Sequence, residues 1–553
     1  MENDRFLSRA AAAALALSLL FAVPAFPTEP AAAGSADPVP NDEELAALGA
    51  TVGEIRIVRE NIFDPADPRE DNWLFRLANR LHIRTRHHVI ARQLLFRTGD
   101  RYDRRLLDES ARILRSNGYL YDAWIRPVGF RDGRVDIEVR TRDVWTLLPG
   151  FSFSRKGGKN TTSIDFQETN LLGLGSEIGV ARTEGPERTS DSLRYSDPHL
   201  LGTWIRTDLL LANTSDGKER HFLLERPFYA LDARWAAGIR FTEEERIDSL
   251  TGIVPVARRF RMTTKFFQLF AGWSRGLQHG RTWRFFVGGV RDESRFSAPP
   301  EGTGGAPVPA DRVLAYPFAG LELVEDEFEE AKNRDQIERT EDFPLGTRLR
   351  ATLGRASPRF GSDRTAWPFT ASFGKGEHLG ERWTVTFDGS VYGRIENGEV
   401  RDTSLWAGAR VYRRLSRRWL FFASLSGTRL IDPDGDHQLL LGGDNGLRGY
   451  PRNYQAGDRS FLFTAEQRYY AEWYPFRLFR VGGAIFFDAG RAWGGDVSGI
   501  PDPGILRDAG FGLRIGNARS GLGNVTHVDL AFPFDGDPSI ESVQLIVVTK
   551  QSF

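Results

Sequence analysis

Cysteine is absent from the 553-residue chain. The protein therefore has no disulfide, no thiolate metal site and no cysteine nucleophile. Net charge is also almost absent, because 73 basic residues oppose 74 acidic ones and leave a formal charge of −1. A balance of this kind does not favour nucleic acid or another polyionic partner.

Signatures of metal, nucleotide and hydrolase sites are missing as well. The adjacent His87 and His88 cannot share one helix face, and no spaced histidines or carboxylates accompany them. The acidic run Asp432 to His437 hints at calcium, but it lacks the closing acid of an EF-hand and predicts a turn. No phosphate-binding glycine spacing and no serine elbow is present. We expect no metal, no cofactor and no enzymatic activity.

Long hydrophobic runs are confined to the N-terminus. "AAAALALSLLFAV" (Ala11 to Val23) follows two arginines and precedes a small-residue site ending at Ala25, which predicts a signal peptide over residues 1–25. A membrane anchor is the alternative, but the run is shorter than the ~20 residues of a spanning helix. Residues 26–49 are rich in alanine and proline and predict a linker.

Residues 50–144 mix helix and strand patterns. Leu107, Ala111 and Leu114 share one face of a predicted helix that Asn117-Gly118 ends. The strict alternation of "RVDIEVR" predicts the second strand of a hairpin with one buried face. The remaining segments are a strand at Val52 to Val58, an inserted helix at Asn72 to His82, a helix at His87 to Phe96 and a strand at "YLYDAWIRPV". Without the inserted helix the order is β-α-α-β-β.

From residue 145 to the end, residues 145–553, the pattern is mainly β. In "RWTVTFDGSVYG" and "HVDLAFPF" apolar residues alternate with polar ones, and tryptophan and tyrosine gather near the strand ends. A soluble sandwich also alternates. The secretory start, strands of ~9 to 11 residues and a terminal Phe553 favour a transmembrane antiparallel β-barrel, in which every backbone group is paired within the wall. We count 20 candidate strands.

A long segment from about Leu430 to Arg459 separates two of these strands. Short turns of such barrels face the periplasm and long loops face outward, so this segment is an extracellular loop by origin. It contains "GGDNGLRGY", in which glycines, Gly446 and Gly449 among them, flank Arg448 and precede Tyr450. Such glycines permit tight folding against another surface.

These motifs resemble a known family. "GGDNGLRGY", "FTAEQRYYAEW" and "IFFDAGRAW" are similar to the conserved loop and following strands of the BamA/TamA family of outer-membrane assembly and translocation proteins. "FQETNLLGLGSEIGV", "YSDPHLLGT" and "EDFPLGTRL" agree, and residues 50–144 resemble a POTRA domain. The resemblance covers about 500 residues. It implies a barrel of 16 strands, fewer than the 20 counted, with one POTRA-like domain in the periplasm of a bacterium.

In that family the long loop folds into the barrel lumen, and its arginine meets acidic residues of the inner wall. Strand parity identifies candidates here: with Phe461 and Ile485 facing lipid, Glu466, Asp488 and Gly490 face inward. Glycine in a strand leaves room for another backbone. We expect Arg448 to pair with Asp488 first and Glu466 second. A solvated loop arginine is the alternative.

The resemblance implies a protein that inserts proteins into the outer membrane or moves them across it. Expected partners are unfolded outer-membrane or secreted proteins, outer-membrane lipids, and periplasmic chaperones or lipoproteins. The first strand, near Leu147 to Ser154, and the last, Val543 to Phe553, would form a seam that opens, and Phe553 would be the C-terminal assembly signal. A dedicated two-partner secretion pore and a passive porin are the alternatives.

Overall fold

The computed structural model describes residues 39–250, 258–300, 308–495, 502–520, 525–538 and 540–550. The predicted signal peptide (residues 1–25) and Phe553 lie outside these ranges. The described chain forms a small N-terminal α+β domain followed by a closed β-barrel. Among the described residues, no helix has the length and apolarity needed to cross a membrane.

The N-terminal domain is a three-stranded mixed sheet with helices. The strands are β1 Thr51–Glu60, β2 Leu120–Arg131 and β3 Arg134–Asp143. β3 lies in the middle, parallel to β1 and antiparallel to β2. The helices are α1 Asp42–Ala47, α2 Trp73–Leu81, α3 His87–Ala91 and α4 Arg104–Arg115.

The core of this domain forms where the sequence pattern places it. Leu107 and Leu114 of α4 are fully buried, as are Val135, Ile137 and Val139 of the sheet. The apolar face of the helix therefore packs on the buried face of the hairpin. Burial of each large side chain contributes on the order of 1.5–3 kcal/mol.

Two expectations about this domain are corrected. The linker predicted for residues 26–49 contains α1 at its end, because Asn41 and Glu44 form a capping box and Leu45 enters the core. The helix predicted from His87 ends at Ala91. Beyond that point the Gln93 side chain donates to the Val89 carbonyl at 2.8 Å and the chain turns.

Within the described residues, the barrel wall contains 20 strands in a closed antiparallel ring, in which the last wall strand lies beside the first. The expectation of 16 strands is therefore wrong, and the count of 20 is confirmed. The wall strands are β4 Leu147–Lys156, β5 Lys159–Glu168, β6 Glu177–Glu184, β7 Thr189–Asp197, β8 Arg206–Thr214, β9 Gly217–Arg226, β10 Trp235–Leu250, β11 Arg258–Gln278, β12 Arg281–Ser297, β13 Arg312–Glu325, β16 Arg348–Gly354, β17 Ala366–His378, β18 Trp383–Glu396, β19 Glu399–Arg414, β20 Trp419–Ile431, β23 Arg459–Tyr470, β24 Phe479–Trp493, β25 Leu506–Asn517, β26 Val525–Pro533 and β27 Gln544–Lys550.

Two further hairpins do not belong to the wall. β14 Phe328–Ala331 pairs with β15 Glu341–Pro344, and β21 Leu439–Leu441 pairs with β22 Gln455–Gly457. Short 3-10 turns are Leu171–Gly173, Leu200–Gly202, Pro358–Phe360 and Pro475–Arg477. We call the end of the barrel next to the N-terminal domain the domain side and the opposite end the far side. β4 starts directly after the domain and wall strands alternate in direction. The β14–β15 hairpin therefore lies at the domain side and the β21–β22 hairpin at the far side.

The wall has an apolar outer face and a polar inner face. In β5, Ile164 and Phe166 are exposed outward, whereas Ser163, Asp165 and Gln167 line the interior. This period-two alternation is the pattern expected of a barrel with lipid outside and a polar lumen inside.

Candidate functional site

The loop between β20 and β23, residues 432–458, folds into the barrel interior, and we call it the lumenal loop. Its turn is held locally, because the Gly442 amide donates to the Asn445 side-chain oxygen at 2.7 Å and the Leu447 amide to the Gly442 carbonyl at 3.1 Å. Gly446 has a φ of +131°, and a Cβ there would fall 2.1 Å from Leu462 of the wall. Only glycine fits this position.

Arg448 lies at the centre of the site, against the two carboxylates named from strand parity. Its Nε donates to Asp488 Oδ2 at 2.7 Å and its Nη2 to Asp488 Oδ1 at 2.9 Å. Its Nη1 donates to Glu466 Oε1 at 2.9 Å. The pairing with Asp488 is bidentate, a geometry that a lysine cannot reproduce.

Arg448 is buried, and one face of its guanidinium packs against an aromatic ring. The guanidinium stacks over the Phe486 ring at 3.4 Å from its centroid, and Asp529 lies 3.6 Å from Nη1. Arg448 is 7% exposed, Glu466 5% and Asp488 0%. Removing the arginine would leave the buried Asp488 carboxylate without its cation, and an uncompensated buried charge is strongly destabilising.

The other predicted residues of the loop also contact the wall. A Cβ on Gly449 would lie 2.7 Å from Asp508 Cβ, and the Tyr450 hydroxyl donates to the Arg507 carbonyl at 2.6 Å. A Cβ on Gly490 would lie 3.1 Å from Leu441 of the loop. Gly490 therefore provides the room for the loop that its place in the strand predicts.

Sequence reasoning missed several members of this cluster. Asp508 lies opposite Asp488 in the β24–β25 register, and Arg514 pairs with Asp529 across β25 and β26. Asp529 alternates with the apolar residues of "HVDLAFPF", so the alternation of side-chain direction along the strand could have identified it as facing inward. Side-chain directions were assigned from the sequence only to the strands that contain Phe461 and Ile485, so Asp508 of β25 was not considered.

A second set of ion pairs holds the start of the lumenal loop. Here the arginines lie on the wall and the carboxylates on the loop, the reverse of the arrangement at Arg448. Arg312 Nη1 and Nη2 donate to Asp436 at 2.9 and 3.0 Å, and Arg394 Nη2 donates to Asp434 at 2.7 Å. His437 Nδ1 lies 2.8 Å from Asp402 Oδ1 of β19. The segment predicted as a turn is therefore a set of loop carboxylates bound by arginines of the wall.

The segment 326–346, which contains β14 and β15, enters the interior from the domain side, and we call it the domain-side hairpin. Its Ile337 is buried among wall residues that include Tyr412, Phe422 and Tyr470. The Arg334 carbonyl accepts from Arg468 Nη1 at 2.7 Å and from the Tyr470 hydroxyl at 3.1 Å. The hairpin tip is thus held by one buried apolar side chain and by hydrogen bonds to the wall, and its Asp335 also accepts from the Tyr412 hydroxyl at 3.3 Å.

The base of the domain-side hairpin binds the N-terminal domain. Arg115 of α4 donates from Nε to Asp342 Oδ2 at 2.8 Å and from Nη2 to Glu330 at 2.7 Å. The Thr340 hydroxyl donates to Asp122 at 2.7 Å. Burial raises the pKa of Asp122, which is consistent with a contact shielded from water. The domain and the hairpin therefore form one contact surface.

Arg468 connects the two inserted segments. Its Nη1 binds the Arg334 carbonyl of the hairpin, while its Nε donates to Glu466 Oε2 at 2.8 Å. Glu466 in turn accepts from Arg448 of the lumenal loop. A continuous series of hydrogen bonds thus runs from the domain-side hairpin to the lumenal loop.

The wall is weakest where β27 meets β4. β4 pairs with β5 along its whole length, from Leu147↔Glu168 to Lys156↔Lys159. Within the described residues, its pairing with β27 has only the register pair Val547↔Arg155. A cavity of about 720 Å³ lies at this junction, and it is lined by Gly150 and Ser152 of β4 and by Thr526 and Thr549 of β26 and β27.

Comparison with known proteins finds similarity at the level of solved structures. No protein-family model and no curated protein matches the chain. BamA from Haemophilus ducreyi lacking POTRA domains 1-3 is 13% identical, with a TM-score of 0.37, covering 91% of this chain and 85% of that one. CdiB from Escherichia coli is 13% identical, with a TM-score of 0.45, covering 90% and 77%. CdiB from Acinetobacter baumannii is 11% identical, with a TM-score of 0.40, covering 91% and 73%.

These sequence identities and TM-scores are too low to support a conclusion about function. The closed barrel with a small α+β domain before it has the overall form that the resemblance to the BamA/TamA family implies. The strand number, 20, differs from the expected 16.

Proposed function

We propose that this protein is a bacterial outer-membrane barrel that inserts proteins into the membrane or translocates them across it. The observation that carries the proposal is the β4–β27 junction, where the described residues form one register pair, whereas the other neighbouring wall strands pair over six residues or more. An unpaired strand edge is a template for another strand. The edge of β4 could therefore receive a strand of an unfolded substrate. The proposal includes no chemical step and no cofactor.

The closed lumen argues against a passive porin. The lumenal loop and the domain-side hairpin occupy the interior from its two ends, and each is held by buried contacts to the wall. A general diffusion channel requires an open aqueous path. Two specific closures are more consistent with a protein whose opening is controlled.

The N-terminal domain would deliver substrates to this junction. Its sheet order leaves β1 and β2 at the two edges, and exposed sheet edges bind extended peptides by strand addition. The resemblance to a POTRA domain supports the same role, with the domain in the periplasm. Unfolded outer-membrane or secreted proteins are the proposed substrates, and chaperones or lipoproteins are proposed partners at the same surface.

A disulfide across the junction tests the proposal. Because the native chain has no cysteine, Val547→Cys with Arg155→Cys would form the only bridge. In cells depleted of the wild-type protein, we expect the bridged variant to lower the levels of many outer-membrane barrel proteins, measured by proteomics of the outer membrane. Reduction of the bridge should restore them.

The matched control is a bridge between two strands that are already fully paired. Leu530→Cys with Leu545→Cys joins β26 and β27 at directly opposed positions, and it should leave the proteome unchanged. Loss of one exported protein alone in the bridged variant would instead indicate a dedicated secretion pore. No change in any protein with the junction bridged would refute the proposed function.

A further inference from the structure

Helix α2 leaves a large apolar face uncovered. Trp73, Leu74, Leu77 and Leu81 are 70%, 52%, 39% and 64% exposed. At 100° per residue these four side chains lie on one face, and Phe75, on the opposite face, is buried against Ile62 and Phe63. Of the residues that the structure describes, none covers the outer face.

The charge around this face has one sign. From Trp73 to His88 every ionised side chain is an arginine, with Arg76, Arg80 and Arg84 spaced four residues apart. The acidic residues just before the helix have their own partners: Asp71 contacts Arg76 at 2.5 Å and Asp67 contacts Arg69 at 2.9 Å. An apolar face flanked by arginines is typical of helices that lie in a membrane interface.

The helix is held beside the β4–β27 junction. It belongs to an insert, residues 61–86, that binds the barrel rim on both sides of that junction. On one side, Arg519 in the β25–β26 turn donates from Nη1 to the Ile62 carbonyl at 2.5 Å. On the other side, the Arg86 amide donates to the Gly173 carbonyl in the β5–β6 turn at 3.0 Å. The insert therefore bridges the domain-side end of the weakest part of the wall.

The apolar face of α2 continues a band of exposed apolar residues on the same rim. Trp145 and Leu478 pack against the cluster that buries Phe75. Turns on this side of the barrel expose further large apolar residues, namely Leu172, Leu201, Leu379, Leu415, Trp473 and Phe476. Residues of this kind at strand ends mark the membrane interface of a barrel.

We propose that α2 binds the lipid surface of the inner leaflet next to the β4–β27 junction. Its apolar face would lie at the boundary of headgroups and acyl chains, and its arginines would contact lipid phosphates. The continuity with the rim and the uniform positive charge favour lipid over a protein partner. The inference rests on the proposed membrane location of the barrel.

Single labelled cysteines test this binding, since the native chain has none. Leu77→Cys would carry an environment-sensitive fluorophore in the full-length protein, reconstituted in vesicles of phosphatidylcholine and phosphatidylglycerol with a fraction of spin-labelled lipid. We expect strong quenching at this position. Leu48→Cys is the control: it is more exposed than Leu77, at 63% against 39%, but it precedes β1 at the opposite end of that ten-residue strand from the insert, roughly 30 Å away along the strand, so its label should not be quenched.

A third label distinguishes two possible failures: that α2 does not bind lipid, and that the barrel does not span the membrane. Leu425 is exposed on the outer face of β20, so a label on Leu425→Cys should be quenched in any barrel that spans the bilayer. Quenching at 425 without quenching at 77 would overturn the inference and leave the membrane location standing. Absence of quenching at both positions would refute the membrane location itself.

The arginines provide a second readout. In the Leu77→Cys background, Arg76→Glu with Arg80→Glu should reduce quenching several-fold, because the acidic side chains are repelled by anionic lipid. Replacing Arg131 and Arg134 by glutamate, at the far end of the β2–β3 hairpin, changes the net charge equally and should have no effect. Equal quenching in all three proteins would show that the charges do not contribute and would overturn the assigned role of the arginines.

Discussion

The two segments that close the lumen are held in different ways. The lumenal loop is attached by buried ion pairs of fixed geometry, with Arg448 on the loop and carboxylates on the wall. The domain-side hairpin is attached by an apolar side chain, Ile337, by a backbone carbonyl and by a longer ion pair of Asp335 with Arg468 at 3.7 Å, and it also binds the N-terminal domain through Arg115. Directional ion pairs fix one position, whereas apolar contacts tolerate sliding. We infer that the loop is the fixed closure and the hairpin the one that moves with the domain.

The largest effect is expected from Arg448→Ala. The variant leaves the buried Asp488 without its arginine partner and removes one of the two arginines that bind Glu466, and breaking a buried pair in this way typically costs about 3–5 kcal/mol. We expect the free energy of unfolding in lipid vesicles to fall by this amount. A label on a cysteine placed in the loop should also become accessible to a water-soluble quencher.

The control for this prediction is an arginine of the same loop with exposed partners. Arg452 contacts Asp444 and Glu187 and is about one-third exposed, so Arg452→Ala should cost less than about 1 kcal/mol. Equal effects of the two substitutions would contradict the view that Arg448 is the principal attachment of the loop.

Ile337→Ala is expected to have the next largest effect. Truncating a buried isoleucine costs about 2–4 kcal/mol, depending on how far its surroundings collapse. Here we expect the hairpin tip to leave the wall, measured as faster proteolysis within residues 326–346, while the lumenal loop stays in place. Unchanged proteolysis, or simultaneous release of the loop, would contradict the separate attachment of the two closures.

Acid should destabilise the folded protein through His199, which is buried in the turn between β7 and β8 near Arg92 of the N-terminal domain. Burial, and then the nearby Arg92, lowers the pKa of His199 to about 4 from its usual 6.5. The unfolded chain therefore binds a proton that the folded chain excludes, and stability falls as pH drops from about 6.5 towards 4. At pH 5 the loss is on the order of 2 kcal/mol.

The measurement compares unfolding at pH 7 and pH 5. His199→Asn should remove this part of the pH dependence, because the amide does not titrate. His279→Asn, in an exposed turn, should retain it. A pH dependence that is the same in both variants would assign the effect to other groups.

Strand parity was sufficient to place Glu466, Asp488 and Gly490 on the inner wall, because side-chain direction in a strand follows from sequence alone. The contacts between distant segments were not predictable in this way. Arg312 and Arg394 meet the lumenal loop only because a 20-strand ring brings β13 and β18 around to it. The domain-side hairpin was noticed as the motif "EDFPLGTRL", but nothing in its local pattern indicates that it enters the lumen.

The smallest expected effect is the coupling between the two closures. Asp335 of the hairpin lies 3.7 Å from Arg468, which binds Glu466, which binds Arg448. In a double-mutant cycle of Asp335→Asn and Arg448→Ala, we expect an interaction free energy on the order of 0.5–1 kcal/mol, since the residues share one network. Asp335→Asn with Arg394→Ala is the control, because Arg394 binds the far-side attachment and should be additive with Asp335. Additivity in both cycles would mean that Arg468 contacts the two closures without coupling them. The hairpin could then move with the domain while the loop remained fixed.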